Sequence, residues 1–130
     1  MGKIAILLVS GELEKLQSAS TIASIASSLG EEVLVFATMY GLLAFKKDVV
    51  EKKSWRIYGE LGEGLLESDS PLFLDMLKEA KTTGNLKIYA CSMVLGMLKL
   101  SMDDFVDVFD DVVGVATFLE MVKDAKILFI

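Results

Sequence analysis

The chain holds one cysteine, and its neighbours set the chemistry open to it. Cys91 lies in the run Asn85-Leu86-Lys87-Ile88-Tyr89-Ala90-Cys91-Ser92-Met93-Val94-Leu95. Leu86 to Ala90 reads as a short apolar strand after the turn signal Thr82-Thr83-Gly84-Asn85. A helix rich in Met and Leu follows, so Cys91 falls where the strand passes into the helix. In open α/β sheets, ligands bind beyond the carboxyl ends of the strands. A helix N-terminus offers free N–H groups and a positive dipole end, which favour a thiolate. A thiolate placed there can attack a sulfane sulfur and carry it as a persulfide. No base is adjacent in sequence. Activation then falls to the helix terminus, with Lys46, Lys47 or Arg56 brought in by folding. The competing reading is a packing role, since free cysteine is among the most buried residue types.

The other strand ends should line the same crevice. They supply Ser10, Gly11, Thr38, Met39, Tyr40, Ser92, Met93, Gly114 and Val115 as candidate substrate-binding residues. Nucleotide binding is not expected. The first loop has neither G-x-G-x-x-G nor a Walker pattern, and Glu12 would repel a phosphate. Asp103, Asp104, Asp107, Asp110 and Asp111 lack the glycine and final glutamate of an EF-hand loop, so they read as a solvated helix face. Met93 and Met97, at i and i+4, could hold a soft metal such as Cu(I), but this spacing is more often core packing. We therefore expect no metal and no cofactor. The chain has no histidine. That removes the Ser-His-Asp and Cys-His mechanisms together.

Composition narrows the class further. The 130 residues suit one domain over 1–130, long enough to bury a core without disulfides. A lone cysteine cannot form an internal bridge, and it fits a reducing, cytoplasmic setting. The net charge is −6, with no basic cluster, so nucleic-acid binding is not expected. Ile4 to Val9 is too short for a secretory signal. Val33 to Phe45 is well short of the roughly 20 apolar residues that span a bilayer, so no membrane insertion is expected. The apolar content is nevertheless high, at 53%. We read the excess as a sheet buried on both faces plus a homo-oligomer interface of Met and Phe side chains.

These residues need elements to hold them. Ile4–Val9 is a continuous apolar run, as in a central parallel strand. Glu12–Leu29 reads as a helix closed by Gly30, with Ile22, Ile25 and Leu29 as its apolar stripe. Val33–Ala37 is a second strand, followed by a short helix at Leu42–Phe45. Asp48–Asp69 is the least regular region and reads as a long excursion, with a flap as one form of it. Ser70 and Pro71 should open the next helix as N-cap and N1. Its buried face should be Leu72, Phe73, Met76, Leu77 and Ala80. Val112–Ala116 reads as a fourth strand, Thr117 to Glu120 as a capping box, and Ala125–Ile130 as the last strand. Strands alternating with helices predict a three-layer α/β fold with a mainly parallel sheet of about five strands.

The run Tyr89-Ala90-Cys91-Ser92-Met93, with Gly114-Val115-Ala116-Thr117-Phe118-Leu119-Glu120 and the terminal Leu128-Phe129-Ile130, resembles the DsrE/DsrF-like family. Within it, the chain is most similar to the branch labelled peroxiredoxin-like. The resemblance implies a Rossmann-like (flavodoxin-like) fold, homo-oligomers, and a cysteine that carries sulfur between proteins, a position Cys91 matches. The activity implied is at most that of a sulfurtransferase-like relay. Its partners would be sulfur-donor and sulfur-acceptor proteins or small sulfane-sulfur compounds. The peroxidatic motif Pro-x-x-x-Thr/Ser-x-x-Cys and a resolving cysteine are absent. The alternative function is a small-ligand-binding or regulatory α/β module in which Cys91 only packs.

Overall fold

Runs of consecutive apolar residues make the centre of the sheet, because parallel strands are covered on both faces. The structure, a computed structural model, describes residues 2–69 and 71–130. Among these, five strands form one sheet: β1 (Lys3–Leu8), β2 (Glu32–Ala37), β3 (Leu86–Cys91), β4 (Asp111–Val113) and β5 (Lys126–Phe129). Their spatial order is β4-β3-β2-β1-β5, and every neighbouring pair is parallel. Seven helices connect them: α1 (Leu13–Ser28), α2 (Met39–Leu43), α3 (Lys47–Lys52), α4 (Glu60–Glu67), α5 (Phe73–Thr83), α6 (Ser92–Leu98) and α7 (Val115–Met121).

The chain steps from β1 to β2, β3 and β4 in one direction. It then returns across the sheet to β5. With right-handed crossovers, α1 and α5 share one face, and α7 lies on the other. The packing follows this plan. Ile6, Val35 and Ile88 are in register and buried on the α1/α5 side, where α1 runs along α5. Leu7, Phe36 and Tyr89 are in register on the opposite face. There Phe118 of α7 stacks on Phe36, with centroids 4.8 Å apart, and leans on Tyr89 at 6.1 Å. Burying a phenyl ring of this kind contributes about 1.5–3 kcal/mol.

Glycine serves a steric need at Gly41. A Cβ there would stand 2.2 Å from the Leu8 carbonyl oxygen. Its absence lets the Gly41 N–H reach the Val9 carbonyl at 2.8 Å, which ties the end of β2 to the end of β1.

Several local expectations are corrected. Helix α1 does not bury its large residues. Its inner face is Leu13, Leu16, Ala19, Ser20, Ala23, Ala26 and Ser27. Ile25 is 55% exposed and Leu29 70%, with Ile22 also exposed. Small side chains let α1 lie close to β1, β2 and α5, and that closeness outweighs the size of the isoleucines. The fourth strand stops at Val113, and α7 begins two residues before Thr117, with Gly114 as N-cap. The second short helix begins at Met39 and not at Leu42. The 48–69 excursion is largely helical, containing most of α3 and all of α4. Helix α5 begins at Phe73 with Leu72 as N-cap, and Leu74, missing from the expected buried face, is buried. The expected cap Ser70 lies outside the described residues.

Candidate functional site

Five parallel strands bring five carboxyl ends to one edge, and Cys91 closes β3 there. It is also the N-cap of α6, in extended geometry (φ −73°, ψ 117°). Side-chain alternation puts Cys91 on the same face as Tyr89, the α7 side of the sheet. The thiol is buried, at 2% exposure, and unpaired. Helix α6 has seven residues, of which only Val94 and Leu95 are buried, and it ends at Lys99 in left-handed geometry (φ 55°).

Seven of the nine candidate binding residues divide between two places. Cys91 pairs with Val113 across β3 and β4. Gly114 follows Val113, and a Cβ built on it would stand 3.5 Å from Ser92 Oγ. Ser92 and Gly114 are thus brought to Cys91, with Met93 and Val115 exposed beside them. Ser10, Gly11 and Tyr40 instead line a cavity of about 470 Å³ at the end of β1. Two strand spacings, about 10 Å, separate the ends of β1 and β3. Thr38 and Met39 lie between, at the end of β2, where the Thr38 N–H donates to the Leu8 carbonyl at 3.0 Å. Met39 adopts a left-handed φ of 51°, uncommon for a residue with a side chain.

Sequence reasoning did not assemble the β1 cavity. Its remaining walls come from α2, α3 and the segment Ser54-Trp55-Arg56. That segment is held against the start of α1. The Leu13 N–H donates to the Arg56 carbonyl at 2.8 Å, and Glu12 and Arg56 form a parallel bridge. Next along, the Glu14 carboxylate accepts the Tyr58 N–H at 2.8 and 3.0 Å and the Gly59 N–H at 3.0 Å. These bonds, that from Tyr58 foremost, hold the Glu14 carboxyl below its ordinary range. Trp55 is buried, donates from Nε1 to the Ala44 carbonyl at 2.9 Å, and meets Phe73 edge-on at 5.2 Å. The only signal in the sequence was the chain's single Trp beside its single Arg.

The cations expected to activate Cys91 are placed elsewhere. Lys46 pairs with Asp48 at 3.9 Å, Lys47 lies beside the aspartate-rich turn, and Arg56 belongs to the β1 cavity. The aspartates are not all solvated. Asp110 Oδ2 accepts the Ile88 N–H at 2.7 Å and pairs with Lys81, and its Oδ1 lies 3.9 Å from Lys87. Asp104 and Ser101 form a capping box. Tyr89, two residues before Cys91, has its phenol pKa raised by burial and then by Asp110, Asp111 and Glu32, so it stays protonated. Among the described residues, no helix is long and apolar enough to cross a membrane.

The model of the DsrE/DsrF-like family matches residues 3–129. No curated protein matches the chain. The fold is similar to that of MTH1491, a protein of unknown function from Methanobacterium thermoautotrophicum, with a TM-score of 0.69, 13% identity and full coverage of both chains. It is also similar to the ychN protein from E. coli, with a TM-score of 0.60 and 16% identity, again over the whole of both chains.

Proposed function

The chain belongs to the DsrE/DsrF-like family, and from that premise we propose that it is a cysteine-dependent sulfur carrier in which Cys91 bears a persulfide. The observation that supports this most is the position of the only cysteine, at the carboxyl end of β3 and the N-cap of α6. The Cys91 thiolate attacks the outer sulfur of a donor R–S–SH. The donor S–S bond breaks, RS⁻ leaves, and Cys91–S–SH forms. An acceptor thiolate then takes the outer sulfur by the same exchange, which returns Cys91 to the thiolate. Ser92, Met93, Gly114 and Val115 form the wall around the carried sulfur, and Thr38 and Met39 the neighbouring rim. Donor and acceptor are proteins or small sulfane-sulfur compounds. The activity is at most a sulfurtransferase-like relay, in a reducing cytoplasm.

At 2% exposure, Cys91 reacts only once a local opening uncovers it, and we place that opening at α6, the short helix that it caps. The exposed apolar side chains support a homo-oligomer. Phe129 is 73% exposed and Met97 70%, and Met93, Leu119 and Ile127 are exposed as well. The burial of Cys91 favours a second reading, a small-ligand-binding or regulatory module in which the thiol only packs. Intact-protein mass after incubation with polysulfide separates the two. The sulfur carrier gains sulfur in the native chain and none in Cys91→Ser. A folded native protein that gains none leaves the module. Removing a buried thiol for a hydroxyl costs about 1–3 kcal/mol, so the Cys91→Ser chain should stay folded.

A further inference from the structure

We propose that the cavity at the end of β1 binds a small α-amino acid with an uncharged side chain, its carboxylate on Arg56 and its ammonium on Glu12. Residues paired in a parallel bridge project to the same side. The Glu12–Arg56 bridge therefore sets a carboxylate and a guanidinium side by side at the wall of one cavity. They do not neutralise each other. Every ion pair among the described residues uses a lysine, and neither Arg56 nor Glu12 takes part in one. Neither side chain makes a hydrogen bond to another described residue, although the bridge sets the two residues next to each other.

Two adjacent, opposite and unsatisfied charges match a ligand that carries both charges on one carbon. A ligand with only one of them leaves the other protein charge unpaired. A phosphate would meet Glu12. The guanidinium fork suits a carboxylate. Ser10 adds a donor, since its hydroxyl oxygen already accepts the Glu12 N–H at 3.1 Å and its proton is left to give. Leu43, Val49 and Trp55 form the apolar part of the wall, which fits an uncharged side chain. A volume of about 470 Å³ lies in the range of small-molecule clefts, roughly 300–1,000 Å³. Nothing in this argument depends on Cys91, which stands at the end of β3, two strands away.

Trp55 is the chain's only tryptophan and lines the cavity, so its fluorescence reports occupancy. The titration uses the Cys91→Ser chain, which keeps thiol chemistry out and leaves a failure here separate from any failure of sulfur transfer. The probes are L-norleucine, hexanoate and pentylamine, which share one side chain and differ in the two charges. L-Norleucine should give a saturable change, with each of the others weaker by about tenfold or more. Arg56→Gln should lose that binding. Glu12→Gln should bind norleucine no better than hexanoate. Both side chains are unpaired, so both variants should keep the fold, checked by circular dichroism. Hexanoate binding as tightly as norleucine, no saturable response to norleucine, or unchanged affinity in the two folded variants would each overturn the proposal.

Discussion

At the carboxyl edge of the sheet, the end of β1 carries unpaired charge in an open cavity, whereas the end of β3 carries a buried thiol at the start of a short helix. The two ends are about two strand spacings apart, yet they are made differently. The β1 end is fixed by groups far apart in sequence: Glu14 holds Tyr58 and Gly59, and Gly41 docks on Val9. The β3 end is paired with Val113 of β4 and runs straight into the seven residues of α6. Long-range ties make a site that exists before its ligand arrives. A buried thiol beside so short a helix makes a site that must open first. The contrast is one of local stability, which spans from near zero up to the global value within one protein.

The comparison breaks first at α6. Leu95 is one of two buried residues there, and Leu→Ala in a core costs about 2–5 kcal/mol. If α6 opens by itself, that loss raises the open population by at least about tenfold, since about 1.4 kcal/mol is one order of magnitude. Leu95→Ala should therefore speed alkylation of Cys91 at least about tenfold while leaving the Trp55 titration unchanged. An unchanged alkylation rate would mean that α6 is not the cover that moves.

Gly41→Ala sharpens the same contrast from the other end. The new methyl would sit 2.2 Å from the Leu8 carbonyl oxygen, against backbone that cannot swing aside. Overpacking of this kind costs about 1–3 kcal/mol, which should lower the thermal midpoint by several degrees. It should also weaken the β1 cavity, since Tyr40, the residue before Gly41, lines it. Alkylation of Cys91 should stay at the native rate, because a local opening of α6 does not draw on global stability. A parallel acceleration in Gly41→Ala and Leu95→Ala would show that Cys91 reacts through global unfolding.

The same division explains what the sequence disclosed. Continuous apolar runs announced β1 and β2, a turn signal before a short apolar stretch announced β3, and the strand-to-helix switch placed Cys91 at a sheet end. Those signals are local. Apolar size points to Ile22, Ile25 and Leu29 as the inner stripe of α1, whereas close approach selects Ala19, Ala23 and Ala26. The 48–69 excursion looked irregular from Gly59, Gly62 and Gly64, yet α4 forms there next to the Glu14 clamp. The cavity was hidden for the same reason. Glu12 and Arg56 meet only through a bridge between distant parts of the chain, and no periodicity records such a meeting.

The smallest effect tests that clamp. The Glu14 carboxyl is held below the ordinary glutamate value of 4.5, chiefly by the Tyr58 N–H. A carboxylate whose folded pKa is depressed adds its full stabilisation above the unfolded value. That contribution fades as pH falls below 4.5 and through the folded value. The group is exposed, so the effect should be confined to its own neighbourhood. Hydrogen exchange at the Tyr58 and Gly59 amides, corrected for the intrinsic rate, should lose protection as Glu14 takes up its proton. Glu14→Gln should exchange rapidly at neutral pH and lose that acid step. Amides on α6 should show no such step, because no carboxylate of the clamp reaches them. If protection at Tyr58 and Gly59 holds unchanged well below pH 4.5, the segment that carries Arg56 is held by its backbone bridge to Glu12 and by Trp55, without the clamp.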